Sequence, residues 1–294
     1  MALDAESTVP LKVSLPELAG ARARGARLVM VTAYDAPSAR LADAAGVDLV
    51  LVGDSAGTTV LGGESTVPVT VDEMLLFTRA VSRGVRRALV VADMPFGSYQ
   101  VSEEDAVRNA IRFLKESAAD AVKLEGAGRS LPRIRSIVDA GVPVMGHIGL
   151  TPQTATMLGG YRAQGRTAKA ARRLIDEAIA LERVGCFAIV IEAVPPVVAE
   201  QITAAVSIPT IGIGAGAACT GQVLVWHDLL GLTSGHVPRF VKVYADLGSM
   251  IQSAIQTYAA EVRAGTFPEP RHTYGMPDDE REALVTHGVD GRKV

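Results

Sequence analysis

Short, nearly continuous apolar runs alternate along the chain with longer segments in which apolar residues recur every three or four positions. The runs cover 27–32, 47–53, 88–93, 119–125, 142–147, 186–192 and 208–212, with a weaker one at 223–226. Uninterrupted hydrophobicity over so few residues predicts strands buried on both faces, as in a parallel sheet. Between them, 36–45, 71–83, 102–117, 131–140, 168–184 and 196–206 carry the helical period. Such alternation predicts parallel pairing through right-handed crossovers. Glycines precede several runs (Gly46, Gly84, Gly141 and Gly185), which reads as the left-handed stop of a helix before the chain re-enters the sheet.

Eight strands in 294 residues fit one (β/α)8 TIM barrel, an α/β fold, over 27–265, with a final helix over 249–264. Ahead of it, 1–26 reads as a polar leader followed by an amphipathic helix at 13–25 that caps the barrel bottom. Beyond it, the proline-containing and charged stretch 266–294 reads as a polar tail without a catalytic role. A doubly wound open sheet is the alternative. It is weakened because Tyr34-Asp35-Ala36-Pro37, not a glycine-rich dinucleotide turn, follows the first strand.

Charge and cysteine content narrow the function. The formal charge is −3 and no Lys/Arg-rich run occurs, so nothing here neutralises a phosphate backbone and nucleic acid is not an expected partner. Cys186 and Cys219 have neither metal spacing nor a disulfide framework and suit a reducing cytosol. No apolar run approaches the roughly 20 residues of a membrane span, and the first residues lack the features of a secretory signal, so a cytoplasmic protein is expected.

The chemistry is read from the strand ends, where barrels place their active sites. Three runs close on or beside a carboxylate: Asp54, Asp93 and Glu125. Converging acids repel one another unless a hard divalent cation joins them, so a metal held by oxygen ligands is expected. Each acid taken alone has a plainer reading as a helix cap or a loop ion pair. Ser55 follows the second strand. Lys123 alternates with Glu125 on one face and is read as a substrate-carboxylate partner or as an ion pair with one of the acids. His147 is open between a substrate donor, a metal ligand and a satisfied barrel histidine. Glu192 ends a wholly apolar run, an environment that suits a general base; a further metal ligand or an acceptor behind the ligands is the alternative.

Two glycine-rich stretches add weaker signals. The run 211–216 reads either as a phosphate cradle or as a tight turn beside a bulky ligand. Gly159-Gly160-Tyr161-Arg162 reads as a flap over the site.

The ordered motifs VTAYDAPSARLADAAGVDLVLVGDSAGTTVLGGESTVPVT, ADMPFGSY, VKLEG, PVMGHIGLTPQ, GGYRAQGR, IEAVP, IPTIGIGAG and GQVLVWHDLLGL resemble the ketopantoate hydroxymethyltransferase family from about Thr32 to about Lys242. The resemblance implies a (β/α)8 barrel of the phosphoenolpyruvate/pyruvate-type superfamily. It also implies transfer of a hydroxymethyl group from 5,10-methylenetetrahydrofolate to 3-methyl-2-oxobutanoate through a metal-stabilised enolate, giving ketopantoate for pantothenate and coenzyme A synthesis. The metal implied is Mg2+, one per subunit, with Mn2+ or Co2+ as substitutes. The family's metal acids match Asp54, Asp93 and Glu125. Its keto-acid positions match Asp54, Ser55, Asp93 and Lys123, with His147 added here as a contact to product or folate, and its proton acceptor matches Glu192. A homodecamer is implied as well.

Two rivals follow from the same residues. A lyase or mutase of that superfamily would want a catalytic cysteine or a phosphonate-binding set, and Cys186 begins its strand instead of ending it. A non-catalytic 2-oxo-acid sensor would have little use for the acids, the lysine and the base together.

Overall fold

Eight apolar segments become eight parallel strands because each can bury both of its faces, one inside a closed sheet and one beneath helices. The computed structural model describes residues 11–235 and 237–286. In it β1 (Leu28–Thr32), β2 (Leu49–Val52), β3 (Leu89–Asp93), β4 (Ala121–Glu125), β5 (Val144–Gly149), β6 (Ala188–Glu192), β7 (Thr210–Ile213) and β8 (Gly221–Leu224) pair in chain order. β8 returns to β1, closing the barrel.

Inward residues from successive strands, among them Met30, Leu51, Val91, Met145, Val190, Ile211 and Val223, form one apolar cluster. Val13, Leu18 and Ala21 join it from the residues around α1 (Leu15–Gly20), and the Val13 N–H donates to the Arg87 carbonyl oxygen at the start of β3. The helix is shorter than the pattern over 13–25 predicts: 21–25 form turns.

Outward residues form the second cluster under α2 (Ala36–Ala44), α4 (Val71–Gly84), α5 (Glu103–Ser117), α6 (Leu131–Asp139), α7 (Ala168–Arg183) and α8 (Pro196–Ala205). Local chemistry starts these helices. Asp35, Ser102 and Thr167 cap α2, α5 and α7 through their side chains, and Thr70 with Glu73 makes a reciprocal capping box on α4. A one-turn helix, α3 (Ala56–Thr59), follows β2 and was not legible in the periodicity. The expected strand over 223–226 lies earlier, because Trp226 opens the short helix α9 (Trp226–Leu229).

The glycine stops divide. Gly46, Gly141 and Gly185 have φ of 83°, 86° and 98°, the left-handed form that favours glycine. Gly84 does not. It ends α4 where a Cβ would stand 2.4 Å from the Ala36 carbonyl oxygen, so it serves the close approach of α4 to α2. Ala118 makes the left-handed stop of α5 without glycine, at φ 55°.

The chain forms two compact units, 1–245 and 246–294. The second contains α10 (Leu247–Ala264), capped by Asp246 and stopped by left-handed Gly265, a 3-10 turn at Pro270–His272 and α11 (Asp278–Thr286). The helix expected over 249–264 therefore groups with the segment after it, not with the barrel, and part of the expected tail is helical. No described helix is long and apolar enough to cross a membrane. The leader residues 1–10 and the last eight residues of the tail lie outside the described residues.

Candidate active site

Parallel register sets which charged groups meet at the strand C-termini. β3 and β4 pair with Asp93 beside Lys123, and β4 and β5 pair with Glu125 beside His147. All four side chains are buried. Lys123 Nζ stands 2.7 Å from Asp93 Oδ1 and 3.2 Å from His147 Nδ1. The same Nδ1 is 3.5 Å from Glu125 Oε1, and His147 Nε2 is 3.2 Å from Glu192 Oε2. Asp54 is carried just beyond β2, where its backbone N–H donates to Asp93 Oδ2 at 3.0 Å. Gly53 leaves room for the Ser55 side chain, since a Cβ there would lie 2.6 Å from Ser55 Oγ. Ser55 Oγ in turn shares a 2.8 Å hydrogen bond with the buried hydroxyl of Tyr34.

The structure therefore brings together every residue singled out from the sequence: Asp54, Ser55, Asp93, Lys123, Glu125, His147 and Glu192 line one cavity of about 830 Å³. A larger cavity, about 1060 Å³, opens beside β7 and β8 and holds none of these acids. The groups able to do chemistry occupy the smaller one.

Charge in this confined space shifts the titrating groups. Burial raises the carboxyl of Asp93 to about 6, against the opposing pull of Lys123. Burial and the neighbouring charge of Glu125 raise Asp54, against Lys123 and the hydrogen bond from Gln153. Burial lowers the pKa of Lys123, but Asp93, Glu125 and Asp54 more than offset it and raise it above its ordinary value, so the ammonium is retained. For His147, burial and the ammonium of Lys123 lower the pKa, and contacts with Glu125 and Glu192 more than offset them, holding it up at about 9. Glu192 is the acid most open to the cavity, its side chain 15% exposed.

Does this set suit a divalent cation? Asp54, Asp93, Glu125 and Glu192 face only two cations, Lys123 and the imidazolium of His147, which leaves two negative charges when all four acids are ionised. Asp93 Oδ1, although in ion-pair contact, has no hydrogen bond of good geometry and is fully buried. Hard oxygens with spare charge and an under-satisfied buried acceptor fit Mg2+ or a similar ion. Among the described residues no group of three or more His, Cys, Asp or Glu side chains is arranged to hold a metal ion by itself, so the fit rests on one or two carboxylates. That also suits an ion that commonly takes one or two carboxylates and completes its shell with water or substrate.

Two residues at the core of this cluster carried no signal in the sequence reading. Gln153 bonds to both Asp54 and Glu125, and Tyr99 bonds to Gln153. Their motifs were evident, but neither residue type announces an acid partner. Of the two readings of the glycine run, the tight turn is favoured: Gly214 and Gly216 have φ of 62° and 82°, and an added Cβ would crowd Phe240 and Pro196 respectively. Tyr161 of the expected flap lines the cavity wall, with Gly159 and Gly160 at φ 77° and 102°. Cys186 is buried away from the cavity and its thiol is pushed up to about 12 by burial, so it is no nucleophile.

Comparison with known proteins shows what the chain resembles. The family model described as ketopantoate hydroxymethyltransferase matches residues 12–270. A protein of Heliobacterium modesticaldum called 3-methyl-2-oxobutanoate hydroxymethyltransferase is 57% identical over 273 residues, covering 93% of this chain and 99% of that one. One of the same name from Nocardioides sp. is 53% identical, covering 92% and 91%. Among solved structures, a phosphoenolpyruvate phosphomutase from Streptomyces platensis subsp. rosaceus is similar in fold, with a TM-score of 0.57 at 18% identity, covering 93% of this chain and 96% of that one. A 2,3-dimethylmalate lyase of the PEP mutase/isocitrate lyase superfamily has a TM-score of 0.55 at 15% identity, covering 95% and 100%. A phosphonopyruvate hydrolase solved with oxalate and Mg++ has a TM-score of 0.56 at 14% identity, covering 93% and 98%.

Proposed function

Because this chain belongs to the ketopantoate hydroxymethyltransferase family, we propose that the cavity enclosed by Asp93, Lys123, His147 and Glu192 converts 3-methyl-2-oxobutanoate, 5,10-methylenetetrahydrofolate and water to ketopantoate and tetrahydrofolate. The observation that carries this reading is the buried array of acids and cations at the strand ends, with its one partly open carboxylate, Glu192. A 2-oxo acid presents adjacent carboxylate and keto oxygens and a weakly acidic C3–H, so its activation needs a positive partner for the oxygens and a base for the carbon.

Asp54 and Asp93 are the residues to hold a divalent ion, with Glu125 beside them as the third acid, its oxygens already engaged by the Gln153 N–H and His147. Such an ion, Mg2+ being the natural candidate, supplies Lewis acidity that lowers the pKa of the C3–H. Lys123 and Ser55 hold the substrate carboxylate, the ammonium as a point charge and the hydroxyl as a short-range donor oriented by Tyr34. Glu192 takes the C3 proton. His147 Nε2 stands 3.2 Å from Glu192 Oε2 in ion-pair contact without a hydrogen bond of good geometry, so the imidazole acts on that carboxylate through its charge. The electron pair left at C3 then forms the new C–C bond to the one-carbon unit, whose two C–N bonds to the folate break; water supplies the hydroxyl, and the C3 proton and one water proton end on the folate nitrogens. No Schiff base is required: Lys123 is held as an ammonium by Asp93 and is no free amine.

Incubating the protein with 3-methyl-2-oxobutanoate, 5,10-methylenetetrahydrofolate and Mg2+ tests the proposal directly by product analysis. Ketopantoate is the expected product. Deuterium exchange at C3 without ketopantoate formation would leave a 2-oxo-acid site and remove the folate-dependent step.

A further inference from the structure

The acids of the site do not hold themselves in place. Gln153 follows β5 in a 3-10 turn, Pro152–Thr154, and is buried. Its side-chain Nε2 donates to Asp54 Oδ2 at 2.9 Å and to the Met94 carbonyl oxygen at 3.0 Å, and its backbone N–H donates to Glu125 Oε2 at 3.0 Å. One residue thus ties together two acids that lie 71 positions apart, on different strands.

The direction of every bond in this group is fixed. The Met94 carbonyl can only accept, so the atom facing it is the amide nitrogen. That nitrogen therefore carries its second hydrogen to Asp54. The amide oxygen faces the other way and accepts from the Tyr99 hydroxyl at 2.7 Å. The Tyr99 hydroxyl is free to donate there because it receives the backbone N–H of Glu125 at 3.3 Å, and an N–H can only donate. Tyr99 and Met94 so orient the amide that it offers hydrogens, not lone pairs, to Asp54.

We propose that Gln153, oriented by Tyr99, is the positioning residue that sets Asp54 and Glu125 for the divalent cation. This rests on the reading of these acids as the cation-holding set. Groups standing behind metal ligands commonly change affinity about 10–100-fold when removed, because an unanchored carboxylate must be ordered each time the ion binds. A role confined to packing would alter stability and leave cation affinity alone.

The test uses the full chain and Mn2+, with free Mn2+ read by electron paramagnetic resonance. Gln153→Met keeps length and removes every side-chain hydrogen bond; Tyr99→Phe keeps the ring and removes only the orienting hydroxyl. Asp93→Asn serves as the control that loses the ion, and thermal unfolding in chelator reports folding independently. Expected are a Kd for Mn2+ raised about 10–100-fold in Gln153→Met and a smaller rise in Tyr99→Phe. C3-proton exchange should recover most of its wild-type rate at saturating Mn2+. If Gln153→Met fails to fold, Tyr99→Phe decides by the same measurement. Wild-type Mn2+ affinity in the folded variants, with affinity lost in Asp93→Asn, overturns the role of Gln153 and leaves the cation site standing. If wild-type protein binds no Mn2+, the reading of the acids falls and the positioning role with it.

Discussion

Replacing Lys123 with Met removes the charge that most directly compensates the buried acids, and the loss can be sized from the structure. At the observed 2.7 Å, the Lys123–Asp93 pair attracts with about 6 kcal/mol at an effective dielectric of about 20. Desolvation of both partners opposes that attraction, and breaking a buried pair by removing one member typically costs about 3–5 kcal/mol. For a unit of this size, each kcal/mol shifts the melting temperature by about 2–4 °C, so Lys123→Met should unfold about 6–20 °C below wild type in chelator. A divalent cation restores positive charge among the same acids. Added Mg2+ or Mn2+ should therefore raise the Tm of the variant more than that of wild type; at an ion concentration of about 100 Kd the ordinary gain is about 2.7 kcal/mol. The variant should also bind Mn2+ more tightly while its KM for the 2-oxo acid rises, since it has lost the partner of the substrate carboxylate. Calorimetric or fluorescence melting with EDTA and with Mg2+ checks both halves. A variant that melts in chelator within about 2 °C of wild type, far inside that range, would refute the view that Lys123 carries the charge balance of the cluster.

Further outcomes follow from the same geometry. Glu192→Gln should slow C3-proton exchange of 3-methyl-2-oxobutanoate into deuterated water by roughly 10²–10⁴-fold, with substrate and Mn2+ binding little changed; exchange at the wild-type rate would move the base to another group, His147 first. Asp93→Asn should weaken cation affinity more than it lowers the Tm, and activity lost to chelation should return with Mg2+, Mn2+ or Co2+; full activity in metal-free protein would remove the Lewis acid from the mechanism. Gly53→Ala, whose Cβ would meet Ser55 Oγ at 2.6 Å, should displace Ser55 from Tyr34 and raise the KM for the 2-oxo acid, which steady-state kinetics would detect.

The barrel was legible because its strands are buried on both faces, so β2, β3, β4 and β6 read as continuous apolar runs with an acid at or just past the end. β8 was faint for the opposite reason: Gln222 points outward and is exposed, which breaks the run. Acids at the ends of parallel strands must converge, so the meeting of Asp54, Asp93, Glu125 and Glu192 at one end of the barrel was expected from the pattern. The pairing within the site was not. That Asp93 faces Lys123 and Glu125 faces His147 depends on the register between neighbouring strands, which hydrophobicity leaves undetermined. Gln153 and Tyr99 escaped because an amide and a phenol on loops carry no periodic or charge signal; their partners exist only in three dimensions. Helix ends were partly misread because glycine answers two demands, and at Gly84 the demand is proximity to Ala36, not a left-handed turn.

The register also explains why one acid in this crowded site is less enclosed than the others. Moving around the barrel from β3 to β5, each inward acid meets a cation on the next strand, Asp93 with Lys123 and Glu125 with His147. Glu192 has no such neighbour on the next strand, where β7 presents Ile213, nor on the other side, where β5 presents Gly149. It meets only the far edge of His147, whose own level on β6 is Val190, so the imidazole reaches diagonally upward to it. Glu192 is thus left one charged contact and an open face, while Asp93 and Glu125 are closed in. A substitution at Gly149 should be severe for this reason: its φ is 95° and a Cβ would stand 2.2 Å from the Glu192 carbonyl oxygen. Gly149→Ala should lower kcat for C3-proton exchange by shifting Glu192, with Mn2+ affinity less affected, because Asp93 is on β3 and Asp54 follows β2, whereas Gly149 meets the Glu192 backbone directly. Loss of Mn2+ affinity in equal measure would show that β5 and β6 support the cation site as a whole, and that the base has no separate mounting.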